Sequence, residues 1–286
     1  MSPIQSLIVP FQGSPDCAAL LQTALALAQP HQATVQAVYA QWPSYLLYPN
    51  AFSMNPELAP LLADEEQKRR QAAQALFDEQ FTPATLGRAH AQWLEAAGEP
   101  ARAFARLALC SDLMVLGQRP PRSAKDTALP ADFVETVLLT SGKPALVVPY
   151  IVMARRAAQI GRIALVAWKE SREAARALSA ALPLLQRAEH VHVAAWGEEG
   201  LSAGWTTSPA LDVLAYLRRH GIEATMHREG VVTRDVGGFL LSRAADLGAD
   251  LLVMGCYGHG RAREWALGGA SRTVLESMTL PVLMAH

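Results

Sequence analysis

Toward the carboxyl end of the chain, Gly255, Gly258 and Gly260 follow an apolar run, and Gly268, Gly269, Ala270 and Ser271 lead into an amphipathic one. Glycines let main-chain N–H groups approach an anion with no Cβ in the way, and the amino end of the next helix adds donors and a positive dipole. The chemistry on offer is the cradling of a phosphate chain by backbone amides. Two well-known phosphate loops do not fit. The dinucleotide fingerprint belongs in the first strand-to-helix turn, whereas these glycines follow the fourth strand of their half. A P-loop fails because Ser141-Gly142-Lys143-Pro144 lacks the upstream glycine and puts Pro where Ser or Thr is required.

Other reactive residue types lack the company that chemistry needs. His190 and His192 alternate with Val191 and Val193, so both imidazoles share one face of a strand, but no carboxylate or third ligand is spaced to complete a metal site. His259 lies between two glycines with no partner carboxylate and reads as a loop histidine. Cys256 reads as a small buried filler. Ser14 and Ser171, followed by acidic residues and in the first case by Pro15, read as helix caps, and no G-x-S-x-G elbow makes either a nucleophile. Asp64, Glu65 and Glu66 ahead of Lys68, Arg69 and Arg70 describe the solvated face of a helix. No catalytic residue and no metal ligand emerges.

A phosphate cradle needs a scaffold, and the sequence supplies one twice. An apolar run, a polar turn with Ser and an Ala-rich stretch recur at an offset of 157 between Ser14 and Ser171. Residues 112–117 return as 250–255 at an offset of 138, and 144–148 return as 281–285 at 137. The order is kept, which marks a duplicated domain. The fall of 19 between the first two offsets places extra sequence in the first half, and 41–62, with Trp42, Pro43, Pro49, Pro56 and Pro60, reads as an elaborated loop.

Strand-length apolar runs alternate with helical ones. Strands are expected near 6–11, 33–40, 88–95, 112–117 and 144–149, then near 162–168, 190–196, 222–228, 250–255 and 281–285. Helices of the second half are expected near 171–187, 207–220, 233–247 and 268–278. Such alternation implies a parallel sheet with right-handed crossovers. The expected fold class is α/β, with two tandem doubly wound domains, each having a five-stranded parallel sheet and helices on both faces. The expected division is a first domain over 1–150, a linker over 151–161 and a second domain over 162–286. Ligands of such sheets bind outside the carboxyl ends of the strands, which is where the glycines stand.

Composition narrows the classes of function. The 286 residues are 51% hydrophobic, enough to bury a full core in two domains. Lys and Arg total 25 against 26 Asp and Glu, and a net charge of -1 leaves no field to hold nucleic acid or an acidic membrane. Cys17, Cys110 and Cys256 are far apart and form no C-x-x-C pair, so a reducing, cytoplasmic setting is expected. The longest apolar run, 144–154, falls short of the roughly 20 residues of a spanning helix.

The spacing of Gly255, Gly258 and Gly268, with nine residues between the last two, resembles the nucleotide motif of the universal stress proteins: Gly, two residues, Gly, nine residues, Gly, then Ser or Thr. Together with the two copies and the Pro281-Val282-Leu283-Met284 ending, the chain is similar to the form of that family that joins two domains in one polypeptide. The resemblance implies an adenine nucleotide, ATP or AMP, with Mg2+ as an optional companion, bound in the second domain as a signal in stress response. It implies Met254, Gly255 and Gly258 at the loop, Gly268, Gly269, Ala270 and Ser271 as phosphate donors, Ala167 and Trp196 as apolar walls for the base, and Lys169 beside them. It also implies that the last strands of the two domains, near 144–149 and 281–285, stack as in the family's dimer.

Two departures favour a competing reading. Gly269 stands where relatives often carry Ser or Thr, and Lys169 stands where nucleotide-binding relatives carry an Asp near the adenosine; a lysine cannot accept a hydrogen bond. With both cradles degenerate, the chain would be an interaction or scaffolding module that binds no nucleotide. A weak ATPase is the third reading. The first half looks emptied of the function, because after Gly117 the loop holds Arg119, Pro120, Pro121, Arg122 and Lys125 and no further glycine. A homodimer of chains and a protein partner of unknown identity complete the expectations.

Overall fold

Runs rich in Val, Leu and Ala become most of the strands, and Ser14, Glu99, Ser171, Asp212 and Asp235 each cap a helix by accepting from a first-turn amide. The computed structural model describes residues 4–40, 58–81, 90–119, 129–153, 160–196, 212–230, 235–257 and 269–286. In the first half the elements are β1 Ser6–Pro10, α1 Pro15–Ala28, β2 Thr34–Ala40, α2 Leu58–Gln80, β3 His90–Ala96, α3 Pro100–Ala108, β4 Leu113–Gly117, α4 Phe133–Thr140, β5 Ala145–Val148 and α5 Tyr150–Met153. In the second they are β6 Ile163–Trp168, α6 Arg172–Leu185, β7 His190–Trp196, α7 Val213–Arg219, β8 Ala224–Glu229, α8 Val236–Asp246, β9 Leu251–Gly255, α9 Gly269–Ser277 and β10 Val282–Ala285.

The repeat is visible in the caps. Ser14 Oγ accepts from the Cys17 amide and Ser171 Oγ from the Ala174 amide, both at 3.2 Å, at the starts of α1 and α6. It is visible again where the central strands begin. Asp112 Oδ2 accepts from the amides of Gln5 and Ser6 at 2.8 and 3.0 Å, and Asp250 Oδ1 accepts from those of Gly161 and Ile163 at 3.0 and 3.1 Å. Each aspartate ties the start of one central strand to the start of its parallel neighbour.

The described residues fall into two units, one reaching to Lys143 and one combining Pro144–Val152 with the second half of the chain. In the first unit β3, β2, β1 and β4 are parallel in that order. In the second, β10, β9, β6, β7 and β8 form a five-stranded parallel sheet, to which β5 adds antiparallel beside β10 with Leu146 opposite Leu283. The strand order reverses direction between β6 and β9, which is the doubly wound signature and makes a crevice at their carboxyl ends. The chain is α/β, with two tandem doubly wound domains and helices on both faces.

Phe11, Phe77, Phe81 and Trp93 pack edge to face or tilted within 6.2 Å and fill the first unit beside α2; Leu165, Leu178 and Leu182 are fully buried in the second. Element ends differ from the expected ones by a few residues. The larger difference lies in 41–62, expected as loop throughout: 41–57 are outside the described residues, but α2 already begins at Leu58. Pro60 is the third residue of the described helix, and a proline in a first turn has no N–H partner to lose. The stretch expected as linker opens with the single turn α5.

Candidate functional site

The carboxyl ends of β6, β7 and β9 define the site, and Gly255 fixes their orientation. A Cβ on Gly255 would lie 2.5 Å from the Ala174 nitrogen and 2.7 Å from the Glu173 carbonyl carbon, so the first turn of α6 rests directly on the end of β9. Because side chains alternate along a strand, Met254 points to the opposite face, the side taken by α8 and α9. Ala167 pairs in register with Met254 on one side and Ala194 on the other, so it shares that face. Trp196, two residues beyond Ala194, does too, and its ring sits 6.4 Å from that of Phe239 on α8, edge to face. The structure thus brings Ala167, Met254 and Trp196 to one face at neighbouring strand ends. Ala167 and Met254 are buried and Trp196 is half-buried.

The glycine loop leaves β9 under tight control. The Cys256 amide donates to the Ala285 carbonyl at 2.9 Å, and His286 Nδ1 donates to the Cys256 carbonyl at 3.2 Å. Tyr257 takes a left-handed φ of 61° and its amide donates to Ser271 Oγ at 3.4 Å. Ser271, expected to cap with its hydroxyl near phosphate, therefore ties the loop's first residues to the first turn of α9. Gly269, Ala270 and Ser271 open the described part of α9, and amides in the first turn of a helix have no carbonyl within it to bond. Among the described residues, a Cβ on Gly269 would meet nothing within 4 Å. Gly258, Gly268 and His259 lie outside the described residues.

One further glycine holds the layer together. A Cβ on Gly237 of α8 would lie 2.6 Å from Thr273 Cβ and 2.8 Å from the Ala270 carbonyl oxygen, so α8 and α9 meet backbone to side chain just behind the donor turn. Asp235 caps α8 by accepting from the Gly238 amide at 3.0 Å.

On the opposite face, Glu173 is 3% exposed at the start of α6. Burial pushes its carboxyl up, but hydrogen bonds from Arg172, from its own amide and from Ser171, with the Arg172 charge, outweigh this and hold it below the ordinary glutamate value. Cys256 is 1% exposed, and burial first, then the Glu173 charge, pushes its thiol far up. A thiol held in its protonated form is the inert filler that the sequence suggests. Lys169, directly after β6, is half-buried.

A sequence profile described as the Universal stress protein family matches residues 3–149 and again residues 162–286. The chain belongs to the universal stress protein family. Its fold is also that of solved universal stress proteins. One from Archaeoglobus fulgidus DSM 4304 superposes with a TM-score of 0.69 at 18% identity, over 98% of this chain and 97% of the other. A second, from Pseudomonas aeruginosa UCBPP-PA14, gives 0.58 at 17% identity, over 99% and 93%. No curated protein matches the chain.

As in the sequence, the two universal stress protein repeats differ at this place. The loop after β4 begins at Gly117 with Gln118 buried and Arg119 half-buried; Arg122 and Lys125 lie outside the described residues. Among the described residues no helix is long and apolar enough to cross a membrane, and no group of three or more His, Cys, Asp or Glu is placed to hold a metal. Sequence reasoning missed Phe239 against Trp196, and Gly237 and Glu173 as shapers of the universal stress protein site. Adjacent glycines 237 and 238 inside a helical pattern were the available signal, since glycine there is costly unless packing requires it.

Proposed function

We propose that the second domain binds an adenine nucleotide, ATP or AMP, and that binding is a regulatory signal in stress response, with no bond made or broken. The phosphates would rest on the first-turn amides of α9 at Gly269, Ala270 and Ser271, with Gly268 opening the turn and Gly255 and Gly258 shaping the loop. Ala167, Met254 and Trp196 would face the base, and Lys169 would reach the phosphates from the end of β6. The observation that supports this most is that α9 is described from Gly269, with none of the described residues within 4 Å of a Cβ there, on the face shared by Ala167 and Met254. The residues fit the ligand: apolar contacts for a ring and donors at a helix amino end for an anion. Mg2+ would be a companion of the phosphates.

In the same reading the chain divides into 1–150, a linker over 151–161 and 162–286; it works in the cytoplasm, chains pair further, and a protein partner reads the bound state. The first domain binds no nucleotide, because its loop lacks the later glycines.

Isothermal titration of the purified chain with ATP and with AMP tests the proposal, beside Gly258→Arg and Gly268→Arg. Saturable heat with wild type that both substitutions abolish is the expected result. No heat with either nucleotide would instead favour the scaffolding reading, which Lys169 and Gly269 support. Turnover well above background would revive an ATPase.

A further inference from the structure

Away from the glycine loop, side chains from three elements of the second unit form a run of hydrogen bonds. Arg243 Nη2 on α8 lies 3.1 Å from His227 Nδ1 on β8, and His227 Nε2 lies 3.0 Å from His192 Nδ1 on β7. All three residues are half-buried. A guanidinium can only donate. His227 Nδ1 is therefore the bare, accepting nitrogen, its proton sits on Nε2 and is donated to His192 Nδ1, and the His192 proton is left on Nε2. Arg243 imposes the direction of every bond. The same polarity denies a metal this pair, because a shared ion would need the lone pair of His227 Nε2.

The run tolerates only neutral rings. A proton on His227 Nδ1 would face the Arg243 donor, and a proton on His192 Nδ1 would face the His227 N–H. On β6 the neighbour of His192 is the apolar Leu165. The groups that bear on it are His227 from β8, His190 from its own strand and Arg243 from α8, each a cation or able to become one; burial first, then these charges, holds His192 below the ordinary imidazole range.

We propose that His192, His227 and Arg243 form a proton-operated latch, which holds α8 on the sheet while the imidazole pair is neutral and frees it when the pair takes up a proton in mild acid. Release would reach further than one helix face. Phe239, one turn before Arg243, packs on Trp196, and Gly237 abuts α9.

Hydrogen exchange of the α8 amides tests this on the full chain without any ligand. After correction for intrinsic rates, exchange in wild type is expected to rise roughly tenfold between about pH 7.5 and about pH 5. The double variant His192→Gln, His227→Gln still offers a carbonyl oxygen to Arg243 and an amide N–H across to residue 192 and leaves no ring of the pair to titrate, and its α8 exchange is expected to stay flat. Equal pH dependence in both proteins overturns the latch. So does ring 15N NMR of wild type that finds the His227 proton on Nδ1 in neutral solution. If the double variant does not fold, wild type decides alone: His192 titrating with no change in α8 exchange sinks the idea, and the two moving together upholds it.

Discussion

The Ala174 nitrogen lies 2.5 Å from the point where Gly255 would carry a Cβ. That nitrogen is backbone, as is the Glu173 carbonyl carbon at 2.7 Å, and Glu173 Cβ follows at 2.9 Å, so none of the three can swing aside. Gly255→Ala must push the start of α6 away from the end of β9. An overpacking cost of about 1–3 kcal/mol is expected, read as a fall in the urea midpoint at unchanged slope. A midpoint equal to that of wild type would show that the turn can yield. Because the shift moves the loop after β9, weaker nucleotide binding should accompany it.

Gly269 offers the opposite experiment. A Cβ there meets none of the described residues, so Gly269→Ser adds a side chain without a clash among them and puts a hydroxyl where the family motif has one. If the first turn of α9 holds phosphate, ATP affinity should rise by about 0.5–1.5 kcal/mol, the worth of one net hydrogen bond, which is a few-fold lower Kd by titration calorimetry. An unchanged Kd in a wild type that binds would put the phosphates elsewhere on the loop.

Glu173 gives the acid limb of stability a named source. Its native carboxyl is held below the ordinary value of 4.5, so the unfolded chain binds the proton more readily than the folded one. Its contribution is complete above that value and fades as pH falls through it toward the lower native value. Glu173→Gln should be less stable by about 1–2 kcal/mol at neutral pH and should lose less on acidification. Denaturant midpoints at about pH 7 and about pH 4 measure both. Parallel losses in the two proteins would remove Glu173 from the account.

Much of this was legible in the residues. β6 and β9 announce themselves as 163–168 and 251–255 because a strand buried on both faces needs an unbroken apolar run, and the duplication doubles the signal. Ser14 and Ser171 are readable as caps because only short polar side chains reach back to the amide three residues on. The helical character of 58–62 is hidden by Pro60, since a proline near a helix start looks the same in a string of letters as a proline in a loop. Gly255 is expected from the sequence to shape a loop that an anion approaches; the approach it permits in the structure is by the α6 backbone. The pairing of His192 with His227 spans 35 positions and two strands, and no local pattern encodes it; His190, the neighbour by period, is exposed instead.

β5 comes from the first repeat of the sequence yet runs beside β10 of the second, with Val147 opposite Val282 and Ala145 opposite Met284. Severing the polypeptide between the repeats would therefore not release two self-sufficient halves. The piece from residue 160 onward would keep β10 with a bare ladder edge, ready to recruit a strand from any copy of itself. Fusion of the repeats spares the protein that search, since the strand that seals the edge arrives on the same ribosomal product.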